Sequence, residues 1–90
     1  MTHVVCEVSD GLRPAEATVG VRDYTGRTEY LPVHRDLLTR SNGKHLLPVY
    51  LIARDVAQGA ALILLPDEAD SGASQIWVRL ADIMSPEVAS

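Results

Sequence analysis

Turn-forming residues interrupt this chain at intervals of roughly 8 to 15 residues, and no apolar pattern of helical length survives between them. Segments that short suit strands, because a single strand needs only about 4 to 8 residues. The spacing predicts a mainly β fold: a small antiparallel barrel, SH3-like, of about five to six short strands with at most one or two short helical turns.

The segments can be placed one by one. Val4, Cys6 and Val8 alternate with Val5 and Glu7, which reads as a strand with one buried face. Ser9-Asp10-Gly11 ends it with turn chemistry, and Pro14 keeps the connection irregular. Ala17, Val19 and Val21 line one side of a second strand. Asp23-Tyr24-Thr25-Gly26 then has Asp first and Gly last, as a β-turn favours. Thr28, Tyr30, Leu31 and Val33 run back, so residues 15–34 form a hairpin. Pro32 has no N–H for a ladder bond, which puts its strand at an edge or places a bulge there.

Residues 35–44 admit two readings. Asp36 suits the cap of a short helical turn, whereas Asn42-Gly43 is a strong hairpin signal. The sequence leans to a short turn followed by Asn-Gly. Residues 46–53 and 60–65 are apolar runs without alternation, which read as strands buried on both faces, with short helices as the alternative. After the polar loop 67–74, Ile76, Val78 and Leu80 alternate with Gln75, Trp77 and Arg79. Residues 1–82 are expected to form one domain and residues 83–90 a tail, in which Ser85-Pro86-Glu87 suits the start of a helical turn.

With 47% apolar residues the chain is not intrinsically disordered, and with one Trp, three Tyr and no Phe its core must be aliphatic. No apolar stretch approaches the roughly 20 residues that span a bilayer, and Met1 to Asp10 lacks the pattern of a signal peptide. The single Cys6 rules out an internal disulfide and a cysteine-based zinc site, so a cytoplasmic location is expected.

Chemistry is sparse. His3, His34 and His45 form no metal-binding spacing and are expected at the surface or half-buried, although His34 and His45 would approach if residues 35–44 formed a hairpin. Asp67, Glu68 and Asp70 lack the spacing of a calcium loop and read as a solvated surface loop. Ser71 and Ser74 stand in no nucleophile elbow, and Cys6 reads as a small buried hydrophobe. Neither a phosphate-binding loop nor a dinucleotide fingerprint occurs. The expectation is a protein that is not an enzyme and uses no cofactor or metal.

Two features point to partners. If Ile76, Val78 and Leu80 face the core, Trp77 stands outside between Gln75 and Arg79, the composition of an interaction hot spot. The alternative is that Trp77 covers a second small cluster beneath residues 35–44. The two apolar runs also need cover on both faces, and a second copy of the chain is the simplest cover. A protein-interaction or assembly module is therefore expected, acting as a homodimer or docked on a larger protein, with Gln75, Trp77 and Arg79 in the contact.

The alternative is a nucleic-acid-binding barrel. Residues 22–54 carry Arg22, Arg27, Arg35, Arg40, Lys44 and Arg54 and are net +3, with Tyr24, Tyr30 and Tyr50 as stacking platforms. The overall charge of −4 weighs against it.

Overall fold

A computed structural model describes residues 2–84. Eight strands form one antiparallel sheet that curls into a half-barrel: β1 (Thr2–Asp10), β2 (Glu16–Arg22), β3 (Thr28–His34), β4 (Thr39–Ser41), β5 (Lys44–Asp55), β6 (Ala60–Leu64), β7 (Gln75–Arg79) and β8 (Ile83–Met84). The order is β3-β2-β1-β5-β6-β7, with β4 added to β5 and β8 to β1. Helical structure among the described residues is confined to two single 3-10 turns, Arg35–Leu37 and Leu80–Asp82. The expected β fold is thus present, and Ile83 and Met84, at the start of the expected tail, pair with Val4 and His3. The helical turn expected from Ser85-Pro86-Glu87 lies outside the described residues.

Period-two alternation builds the core. Val4, Val19, Val21, Leu31, Leu47, Ile63 and Val78 have no exposed surface and belong to one aliphatic cluster. The β2–β3 hairpin stands in the expected register, with Ala17 opposite Val33 and Val19 opposite Leu31. β3 ends the sheet, so Pro32 occupies an edge as its missing N–H requires. Pro48 lies between the parts of β5 that pair with β4 and with β6, where β1 is the strand's only neighbour among the described residues. Both readings of residues 35–44 hold in succession: the 3-10 turn comes first, then Asn42 (φ 52°) and Gly43 (φ 78°) turn the β4–β5 hairpin.

Two connections close the open side of the half-barrel. The Tyr24 N–H donates to the Trp77 carbonyl at 2.7 Å, and the Tyr24 hydroxyl donates to the Gln58 carbonyl at 2.7 Å. The 65–74 loop crosses the edge of β3, where Asp70 N–H donates to the Tyr30 carbonyl and the Ser71 hydroxyl to the Glu29 carboxylate. That loop is polar, as expected, yet Ala69 at its centre is 3% exposed and belongs to the core.

Asp23 organises the β2–β3 turn that makes the first connection. Its carboxylate accepts from the Thr25 hydroxyl at 2.7 Å, the Thr25 N–H at 2.9 Å and the Arg27 N–H at 3.0 Å. Desolvation raises its pKa, but these hydrogen bonds outweigh it and hold the group below its ordinary value of 3.8. A depressed folded pKa means that the carboxylate's contribution is fully present above the unfolded value. It is lost as pH falls through the folded one. Asn keeps an Oδ1 that accepts the same bonds, and these bonds are largely exposed, so Asp23→Asn is expected to lower the melting temperature near neutral pH by only a few degrees, for a loss of about 0.5 kcal/mol. The gap from the parent protein should narrow in acid below pH 3.8. Melting curves at neutral and acid pH check this, and a gap independent of pH would assign the effect to shape alone.

Candidate interaction surface

The outer face of β5, β6 and β7 follows from their register. Leu51, Ile63 and Ile76 form one inward row, so the neighbouring rows face out. The first outward row is Tyr50, Leu64 and Gln75, the second Ala53, Leu62 and Trp77, and the third Asp55, Ala60 and Arg79, in which Ala60 is buried and the two charged residues reach the surface. The register of β5 shifts between Leu51 and Ala53, so Ile52 is an extra residue beside Ala53 opposite Leu62. Tyr50 is 70% exposed, Ile52 47% and Trp77 43%, while Leu62 and Leu64 are half-buried.

Next to the first row lies a groove of about 200 Å³ lined by Leu37, Pro48, Val49, Tyr50, Leu64 and Pro66, with no charged side chain. The groove and the apolar members of the first two rows make one continuous surface on the side of the sheet away from the core, bounded by Gln75 and by the charged third row. The apolar runs are strands, as the sequence predicts. Their burial on both faces is not realised within the described residues, because Tyr50, Ile52 and Ala53 are open to solvent.

Gln75, Trp77 and Arg79 stand on this outer face as alternation predicts, all three exposed. The strand that carries Trp77 lies between β6 and the Tyr24 turn. Arg79 also borders a shallow depression of about 260 Å³ shared with Arg22, Glu7 and Asp82. Tyr50, Ile52, Leu62 and Leu64 are the surface residues that hot-spot reasoning from Trp77 alone misses. The unalternating runs contained the signal, since a strand apolar on both sides must show one of them somewhere.

The six cations of the basic middle stretch fall into two groups. Arg22 and Arg27 flank the β2–β3 turn, and Arg54 is near the β5–β6 turn to which Tyr24 is bonded. Arg35, Arg40 and Lys44 lie around the β4–β5 hairpin. Arg22 and Arg35 sit at opposite ends of β2, about 20 Å apart. Arg35 is also engaged, by Asp10 at 3.0 Å and the Pro14 carbonyl at 2.9 Å. The tyrosines are spread as well: Tyr24 is bonded to Gln58, Tyr30 lies over Gly20, and Tyr50 stands on β5.

The polar candidates stay apart too. His34 Nδ1 accepts from the Asp36 N–H, while His45 is in register with Cys6 and Arg40. His3 is 8% exposed, more buried than its sequence context suggests, because it sits between β5 and β8 opposite Pro48 and Met84. Among the described residues no three His, Cys, Asp or Glu side chains gather as a metal site would require. Burial first, and then the Glu7 charge, push the Cys6 thiol up to about 11, which keeps it protonated near neutral pH. No helix among the described residues is long and apolar enough to cross a membrane.

Compared with protein-family models, with curated proteins and with solved structures, the chain matches none.

Proposed function

We propose that the protein is a non-enzymatic interaction or assembly module that docks through the outer face of β5, β6 and β7. The observation that carries this reading is the continuity of Tyr50, Ile52, Leu62, Leu64 and Trp77 across three adjacent strands, beside an uncharged groove. Contiguous apolar surface rimmed by polar side chains marks a protein contact more often than scattered exposed hydrophobes do. Trp77 is its anchor: a large ring on a rigid strand, flanked by Gln75 and Arg79. The SH3-like form of the barrel belongs to the same reading, supported by short antiparallel strands joined by tight turns. A reducing, cytoplasmic setting is supported by a lone thiol held inside the core.

Trp77→Ala is expected to weaken assembly about thirtyfold or more, the size of a hot-spot loss of about 2 kcal/mol, and to leave the fold intact. Native mass spectra over a dilution series measure the first effect, and thermal melting measures the second. A variant that unfolds would make Trp77 a core residue and defeat this reading.

A further inference from the structure

Resting on that reading of the face, we infer that its occupant is a second copy of the chain, docked about a twofold axis that runs along β6. The pattern of the three outward rows is self-complementary about that line. An axis lying in the interface along β6 exchanges the β5 side of one copy with the β7 side of the other. In the third row, Asp55 on β5 then meets the partner's Arg79 on β7, and the same pair forms twice. In the second row, the large Trp77 lies over the small Ala53, while Leu62 meets its own copy on the axis. In the first row, Tyr50 lies over Gln75.

Other axes in the interface do worse. An axis across the strands would lay the charged third row of one copy over Tyr50, Leu64 and Gln75 of the other, burying charge against apolar surface. The axis along β6 sets Asp55 opposite Arg79, Trp77 opposite Ala53, Tyr50 opposite Gln75, and Leu62 and Leu64 each opposite its own copy. Arg79 is free to serve, since it has no ion pair within the described residues. Asp55 uses one carboxylate oxygen to accept from the Gln58 N–H at 3.1 Å and keeps the other for the partner.

The test is a charge swap between two variants. Asp55→Arg alone places arginines opposite each other at both symmetry-related pairs, and Arg79→Asp alone places aspartates there. Each is expected to raise the dimer dissociation constant about tenfold or more, since like charges are set against each other across the contact. Mixed in equal amounts, the two variants restore opposite charges at both pairs, and native mass spectra should show the heterodimer exceeding either homodimer. Arg79→Asp tests the pair without touching the Asp55 turn contact, and melting curves establish that each variant is folded. If the parent protein dimerises but the variants dimerise equally well, or mix only statistically, this twofold arrangement is overturned and the apolar face stands as the contact. If the parent protein is a monomer at every concentration it tolerates, the second copy is overturned and the face is left to a different protein.

Discussion

Leu47→Ala is expected to cost about 3 kcal/mol and lower the melting temperature by roughly 15 °C. Leu47 has no exposed surface, stands opposite Val4 on β1 and belongs to the main aliphatic cluster. The β1–β5 ladder holds the strands around it, so the vacated space collapses only in part and a cavity cost adds to the lost transfer energy. A domain this small buries only about 60 to 65% of its unfolded surface and sits near the lower end of the usual 5 to 15 kcal/mol of stability. The loss would therefore remove a large share of the total. Urea and thermal unfolding measure it, with Leu12→Ala, at a fully exposed loop position away from the outer face of β5, β6 and β7, as a control expected to stay within about 0.5 kcal/mol. A loss below about 1 kcal/mol for Leu47→Ala would mean that the core repacks around it.

Gly11→Ala is expected to destabilise by about 1 to 3 kcal/mol, although it adds only a methyl group. A Cβ at this position would lie 2.8 Å from the Glu16 carbonyl oxygen and 2.9 Å from its carbon. Those are backbone atoms at the first residue of β2, which is in register with His34, so the loop must move instead. The lower chain entropy of alanine in the unfolded state returns only about 0.4 to 1 kcal/mol, less than the clash costs. Gly26→Ala serves as a comparison, because a Cβ there meets nothing within 4 Å and only its positive φ of 94° resists the change. A loss at Gly11 below about 1 kcal/mol, measured by chemical unfolding, would show that the loop moves aside at little cost.

Much of this architecture was legible wherever a local rule carried the information. Asp23 and Gly26 announced the β2–β3 turn, Asn42-Gly43 the β4–β5 hairpin, and Pro32 an edge strand, each through backbone chemistry that acts within a few residues. Alternation in residues 75–80 offered an exposed Trp77 beside the alternative of a second cluster, and the structure leaves it exposed. What escaped depended on distant pairing. The extra residue Ile52 is visible only once Leu51 is matched to Ile63 and Ala53 to Leu62. The burial of His3 follows from β8 and β5 lying on either side of β1. Ala69 reaches the core because its loop is drawn across the edge of β3, and nothing in a stretch of Asp, Glu, Ser and Gly signals that. The candidate surface was half legible for the same reason: Trp77 came from local alternation, whereas its union with Tyr50, Leu62 and Leu64 required the register of three strands.

The Tyr24 turn and the 65–74 loop bear on how the molecule behaves when crowded. Each occupies a backbone group at one margin of the sheet, Trp77 on β7 and Tyr30 on β3, and Pro32 removes a donor from the latter margin. A neighbouring molecule that tried to extend the sheet would find its hydrogen-bonding template interrupted on both sides. Fibrillar growth by strand addition is thereby obstructed. The same two connections would have to detach before the protein entered an amyloid-like pathway.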